Sequence, residues 1–301
     1  MTASPAVQSL TQRWVAGHLP QRSARAHKGD FGRLLVVAGS TEYPGAAMLT
    51  ALGAMRAGAG VVRVAVAESV AARLAGAVPE LTWMVLDEEA PGLIAPSGWR
   101  RVTTEAAGYE AVVIGPGLGR QPATQRRTRN LVAAIRVPAV IDADGLNALA
   151  DGRSWWTGLQ APVVLTPHPG EFSRLVRGEA PADDDTARSE AALAAAQRWR
   201  QVVVLKGANT VVAGPGGELL RSKVSSPALA TAGSGDVLAG VIGAFLAAGL
   251  PPFLAAGCGV AVHGAAGLLA EGRIGRAGVM ARDVAGLLPE AIEQLRGGRG
   301  R

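Results

Sequence analysis

The sequence predicts one α/β domain in which a mainly parallel sheet is covered by helices on both faces. Apolar, β-branched runs recur at Leu34–Ala38, Val61–Val66, Val112–Ile114, Ala139–Ile141, Val163–Thr166 and Val202–Lys206. They are continuous rather than alternating, the pattern of strands buried on both sides. Helix-like stretches fall between them, and such alternation builds parallel sheets. The 301 residues, 49% hydrophobic and 18% charged, suffice for one large core, and no linker or fixed-period repeat divides them.

Leu34–Ala38 leads into helix Gly45–Ala57, and Val112–Ile114 into Ala123–Ile135. Val163–Thr166 leads into Gly170–Val176, and the polar loop 177–185 ends in acidic residues suited to opening helix Asp185–Arg200. Thr210–Ala213 reads as a hairpin strand after Val202–Lys206. Beyond residue 230 only helices follow, over Gly235–Ala248, Pro252–Glu271 and Met280–Arg296. The uncharged stretch Pro252–Ala270 approaches membrane-spanning length, but it is dominated by Ala and Gly and contains His263, which favours a buried helix.

Composition excludes several classes. Disorder needs low hydrophobicity with high net charge, and a disulfide scaffold needs more than Cys258, the single cysteine. That thiol sits in an apolar helix and reads as inert. The net charge of +6 belongs to the ends of the chain: residues 1–33 carry five basic groups and one Asp, and residues 296–301 three Arg. The remainder holds 22 basic against 23 acidic residues, so a nucleic-acid groove through the fold is not indicated. The first twenty residues lack a secretory pattern, and with the lone thiol this points to a cytoplasmic protein with no membrane partner. Only Lys28, Lys206 and Lys223 are lysine among thirty basic residues, so each lysine invites a reason.

Unusual residues gather just past the carboxyl ends of the expected strands, where open α/β sheets bind ligands. Ala232-Gly-Ser-Gly-Asp236 precedes an apolar helix; its free N–H groups suit an anion, and Asp236 stands where a carboxylate takes a proton from an attacking hydroxyl. Asp at a helix start also simply favours the helix, and spacing alone does not separate the two readings. Lys206-Gly-Ala-Asn-Thr210 closes a strand with a cation able to reach phosphate, or else forms a plain turn. Thr166-Pro-His-Pro-Gly-Glu171 holds His168 between two prolines, in a rigid loop suited to a ligand contact or merely to the surface. No second His or Cys stands near it at zinc spacing. Asp142-Ala-Asp-Gly-Leu-Asn147 offers two carboxylates and a carboxamide, consistent with Mg²⁺ held directly or through water, while Asp144 serves equally as a helix N-cap. Gly115-Pro-Gly-Leu-Gly119 permits close backbone approach or a turn. His18, His27 and His263 stand in no comparable context.

Taken in order, these motifs resemble the ADP/ATP-dependent NAD(P)HX dehydratases of the ribokinase-like superfamily. The resemblance also covers His27-Lys28-Gly29, Gly39-Ser-x-x-Tyr43 and Arg56-Ala-Gly-Ala-Gly60. It implies a ribokinase-like three-layer α/β/α sandwich spanning 27–296, an N-terminal extension 1–26 and a basic tail 297–301. It further implies that ADP or ATP with Mg²⁺ drives dehydration of (S)-NAD(P)HX to NAD(P)H through a phosphorylated hydroxyl, ADP being favoured. A small-molecule kinase on the same fold, acting on a vitamin precursor or sugar, is the alternative. By resemblance Asp236 activates the hydroxyl and contacts substrate, with Ala46, Gly117 and His168. Lys206, Gly207, Ala208, Asn209, Thr210, Gly233 and Gly235 match nucleotide-binding positions, and Asp142 and Asn147 support them. Assembly into a homo-oligomer, a tetramer, and a separate epimerase for the other epimer are also implied. The family's Thr is Ser234 here, and Ser226, Ala228 and Ala232 replace Asn and two glycines in the preceding loop.

Overall fold

The computed structural model describes residues 7–297. Its first elements are β1 (Gln8–Ser9), α1 (Gln12–His18), β2 (Arg33–Val37), α2 (Pro44–Ala57), β3 (Val61–Ala67), α3 (Glu68–Leu74) and β4 (Thr82–Leu86). A short hairpin, β5 (Glu88–Ala90) and β6 (Leu93–Ile94), leads to α4 (Pro96–Glu105), β7 (Ala111–Ile114), α5 (Pro122–Ala134), β8 (Ala139–Ile141) and α6 (Asp144–Ala150). Then come β9 (Val163–Leu165), α7 (Pro169–Val176), α8 (Asp185–Trp199), β10 (Val202–Leu205), β11 (Val211–Ala213) and β12 (Leu219–Arg221). Three helices finish the fold: α9 (Ser234–Ala247), α10 (Pro252–Ile274) and α11 (Ala281–Leu295).

The main sheet runs β1-β12-β11-β10-β9-β8-β7-β2-β3-β4. From β4 through β10 every neighbouring pair is parallel; β11 is antiparallel to both β10 and β12. Apart from the exposed Arg33 that opens β2, residues of β2, β7, β8, β9 and β10 are almost completely buried, as continuous apolar runs require. Strand order reverses between β2 and β7, and the crevice at their carboxyl ends is the expected ligand position of such a sheet.

Helices cover both faces. On one side α2 packs along α9, and α10 and α11 pack beside them; on the other α4, α5, α6 and α7 contact each other in succession, with α8 against β10 and β11. The α2–α9 contact is backbone on backbone. A Cβ added at Gly240 would stand 2.0 Å from the Thr50 carbonyl oxygen, so only glycine lets these axes approach. The apolar α10 is buried along most of its length against α9, α11 and the sheet, which accounts for its hydropathy without a bilayer.

The structure corrects several expectations. Much of segment 1–26 is not a separate extension: β1 pairs in parallel with β12, Val15 of α1 is fully buried, and Arg22 lies 3.8 Å over the Phe31 ring. Strands β4 and β12, the β5–β6 hairpin and helices α1, α3 and α4 add to the predicted set. Helix α8 ends at Trp199 because Arg200 turns left-handed, at φ 55°. Residues 298–301, most of the basic tail, lie outside the described residues.

Candidate active site

Carboxyl ends of β2, β7, β8, β9 and β10 converge on the amino end of α9. Gly233 caps that helix at φ +85°; Ser234 N–H donates to the Thr231 carbonyl at 3.2 Å, and among the described residues no side chain accepts from the N–H groups of Gly235 and Asp236. They therefore face an anion site with the helix dipole behind them. Gly235 stands over a buried ion pair: a Cβ there would lie 3.3 Å from Lys206 Nζ and 3.9 Å from Asp142 Oδ2.

Lys206 Nζ donates to Asp142 Oδ1 at 2.7 Å and stands 3.8 Å from Glu171 Oε2. The Thr166 hydroxyl donates to the same Asp142 oxygen at 2.8 Å. Asp142 is 1% exposed and Glu171 5%, so both carboxylates depend on this lysine for compensation. Burial alone would depress the Lys206 pKa, but Asp142 and Glu171 outweigh it and hold the ammonium charged. Glu171 moves the other way, its pKa raised by burial against the pull of Lys206.

Asp236 lies in the first turn of α9. Burial, reinforced by Asp142 and opposed by Lys206, pushes its pKa from the ordinary 3.8 up to about 7. A carboxylate so placed is a competent proton acceptor near neutrality.

Two cavities meet at this turn. One, of about 490 Å³, is lined by Lys206, Gly207, Ala208 and Thr210 together with Ser226, Thr231, Ser234 and Gly235. The other, of about 420 Å³, is lined by Ala46, Gly117 and Asp236 with Glu42, Tyr43, Arg120, Ala143 and Asp144. Gly117 must be glycine: its φ is +63°, and a Cβ would stand 2.7 Å from those of Ala46 and Tyr43.

The remaining expected residues, Asp142, Asn147, His168, Asn209 and Gly233, lie nearby but line neither cavity. His168 caps α7: its Nδ1 accepts from Gly170 N–H at 3.0 Å, which leaves the ring proton on Nε2, 3.5 Å from Glu171 Oε1. Burial, Lys206 and Arg174 all lower its pKa, so the ring is neutral near pH 7. Asn147 donates to Asp144 Oδ1 at 3.2 Å and accepts from Arg174 Nε at 2.9 Å. Asn209 turns left-handed, at φ 53°, and reaches Asp185 at 3.3 Å. Gly233 is the helix cap. Asp144 is the first residue of α6 rather than its N-cap, and its Oδ2 accepts from Gly119 N–H at 2.9 Å.

Some features escape sequence reading. Ala143, the true cap of α6, is held at φ 49°, a conformation that costs about 1–3 kcal/mol without glycine. It separates the two aspartates, so Asp142 faces Lys206 while Asp144 faces the second cavity. Arg188 is buried and donates to the Leu205 and Lys206 carbonyls at 3.2 and 3.0 Å, fixing the end of β10. His263 is buried against Ser234. Lys28, by contrast, is exposed in a 3-10 turn before β2, at the opposite rim of the sheet, and Lys223 is exposed. The Cys258 thiol is buried, which pushes its pKa up to about 12 and leaves it unreactive.

Fold and site define a ribokinase-like α/β protein whose two cavities share one anion-facing helix terminus. The chain belongs to the NAD(P)H-hydrate dehydratase family, which it matches over residues 34–290. It is 37% identical over 291 residues to the ADP-dependent (S)-NAD(P)H-hydrate dehydratase of Xanthomonas campestris, covering 97% of this chain and 98% of that one. A bifunctional NAD(P)H-hydrate repair enzyme of Moorella thermoacetica is 42% identical over 95% of this chain. The chain spans 54% of that relative, about half its length. The crystal structure of the ADP/ATP-dependent NAD(P)H-hydrate dehydratase of Bacillus subtilis, co-crystallised with ATP and Mg²⁺, superposes with a TM-score of 0.81 at 33% identity, covering 96% of this chain and 99% of that one.

Proposed function

We propose that this protein dehydrates (S)-NAD(P)HX to NAD(P)H, using ADP or ATP as phosphoryl donor. The observation that carries the reading is the meeting of two cavities at one helix terminus, Gly235 lining one and Asp236 the other. The nucleotide occupies the cavity of Lys206–Thr210 and Ser234–Gly235, and the hydrated dinucleotide occupies that of Ala46, Gly117 and Asp236. His168, Asn147 and Asp142 act from beneath: Asp142 holds Lys206, Asn147 orients Asp144 and Arg174, and His168 is braced by Glu171.

Hydroxide is a poor leaving group and phosphate a good one, which explains kinase-like geometry in a dehydratase. Asp236 takes the proton of the substrate hydroxyl as its oxygen attacks the terminal phosphoryl group, and AMP departs when ADP is the donor. The N–H groups of α9 and the Lys206 ammonium stabilise the charge on the transferring group. The C–O bond then breaks with its electron pair leaving on phosphate, and loss of the neighbouring C–H proton restores the ring double bond. Nucleotide, Asp236 and hydroxyl held in contact replace a termolecular encounter.

Mg²⁺ fits this site in one way. No group of three His, Cys, Asp or Glu is poised to ligate a metal among the described residues. Asp142 Oδ1 is taken by Lys206 and Thr166, while its Oδ2 faces the Gly235 backbone. Those oxygen donors suit an ion brought by the phosphates and held by one carboxylate, Asp142, directly or through water. When bound, the ion neutralises charge on the phosphates.

The decisive test adds ADP or ATP with Mg²⁺ to NADHX and follows return of the dihydronicotinamide absorbance. Return with ADP supports the reading; failure with both nucleotides overturns it, and a stable phosphorylated product from another alcohol replaces it with a kinase. A homo-oligomer, a tetramer, working in the cytoplasm and functionally linked to NAD(P)HX epimerisation, completes the proposal. Exposed Leu268, Ile274 and Met280 on and between α10 and α11 support the assembly, which sedimentation will test.

A further inference from the structure

Helix α10 is apolar over its whole buried length, yet it carries one imidazole. His263 is 7% exposed and lines the 490 Å³ cavity beside Ser234 and Gly235. A buried ring nitrogen without a partner is costly, so its contacts report what it is for. Its Nε2 lies 3.2 Å from Ser234 Oγ, on the first residue of α9. Burial pushes the His263 pKa down to about 4, so the ring is neutral throughout the working range and brings no charge to the anion site.

A hydroxyl beside an anion is useful only if its proton points at that anion. Ser234 Oγ is both donor and acceptor, and its rotor is set by whichever neighbour claims it. If the imidazole accepted, the serine proton would be spent inside the protein. If Nε2 carries the ring proton, the imidazole donates to Oγ and the serine proton is free to face the cavity. We propose that His263 is a positioning residue for the nucleotide phosphate: Nε2–H donates to Ser234 Oγ and turns the serine hydroxyl proton toward the bound anion. The inference rests on placing the nucleotide in this cavity, as proposed above. It assigns a purpose to the one polar ring in α10 and to the hydroxyl of Ser234.

The test measures ADP binding by calorimetry and, separately, KM for ADP and for NADHX. His263→Leu is expected to weaken ADP about tenfold, the size of one charge-assisted hydrogen bond, with KM for NADHX unchanged. Ser234→Ala should weaken ADP to a similar degree, and the double variant should lose no more than either alone. His263→Gln, whose amide N–H can occupy the Nε2 position, should restore most of the affinity. Should His263→Leu fail to fold, the Gln variant and Ser234→Ala carry the test, since both keep a polar or small group in place. Additive losses in the double variant, or a Ser234→Ala protein that binds ADP as the parent does, overturn the inference while leaving the nucleotide site standing. A parent protein that binds no adenine nucleotide overturns the placement of the nucleotide and this inference with it.

Discussion

The two ends of the central sheet are built on opposite principles. At the carboxyl end Asp142, Glu171, Lys206 and Asp236 are packed within one another's fields, Ala143 is held in a left-handed conformation, and an acid titrates near neutrality. At the amino end of β9 and β10 the fill is aromatic. Trp155 and Trp199 lie 5.1 Å apart, Phe172 packs 6.1 Å from Trp199, and the Arg198 guanidinium covers the Trp156 ring at 4.7 Å. A hollow of about 920 Å³, larger than either site cavity, opens at that end between Trp156, Trp199 and Phe253, so volume alone does not mark the site. Buried charge is concentrated where chemistry needs it, while dispersion and hydrophobic burial hold the other end.

Substitutions should separate the two ends cleanly. Asp236→Asn is expected to lower turnover about 10³-fold with ADP affinity kept, since a positioned base supplies rate rather than nucleotide binding; calorimetry and the absorbance assay together check it. Lys206→Met should cost about 3–5 kcal/mol of stability, because it leaves Asp142 and Glu171 buried without their cation. Combining it with Asp142→Asn should recover part of that loss in a thermal melt. Trp199→Ala at the far end should cost a similar 3–5 kcal/mol through cavity formation, yet leave KM for both substrates at parental values. A changed KM there would erase the division drawn between the ends.

Proton dependence sharpens the same contrast. As the proposed base, Asp236 acts only when ionised, so kcat/KM should rise to a plateau above about pH 7 and fall about tenfold per unit well below it. Its effect on stability runs the opposite way. With the folded pKa near 7 against 3.8 unfolded, the native state binds more protons between those values, and stability declines as pH rises through that window. The Asp236→Asn protein should therefore melt higher than its parent around pH 8, by roughly 3 °C, with the difference shrinking toward pH 4. Least of all should follow from Arg33→Ala. Its pair with Glu110, at 3.1 Å, is exposed at the amino rim, and such pairs contribute below about 1 kcal/mol.

Legibility in the sequence tracks how local each feature is. Strands β2, β7, β8, β9 and β10 were readable because both faces are buried and nearly every residue is apolar. Strand β4 was not: Thr82, Trp83, Met84, Val85 and Leu86 alternate in burial on an edge strand, and a search for continuous runs passes over it. Helix α4 opens with Pro96-Ser-Gly98, weak helix formers, so its apolar stripe of Trp99 and Val102, continued by Ala106 just past its end, is easy to miss. In the site, Asp236, Lys206, Ala46 and Gly117 were legible through motifs. Lining a cavity was not: Asn209, Asn147, Gly233 and His168 share those motifs yet serve as turn, brace or cap.

From local pattern alone the chain specified a parallel, doubly covered sheet, and the glycine and proline turns at its strand ends specified where a ligand would meet it. Backbone preference and side-chain periodicity suffice for that, since both act over a few residues. Tertiary packing decided the rest. It set Lys206 between carboxylates 64 and 35 positions away in the chain, placed His263 of α10 against Ser234 of α9, and withdrew enough water from Asp236 to turn an ordinary acid into a base near neutrality. Electrostatic energy depends on distance and solvent exposure, and neither exists before the layers close.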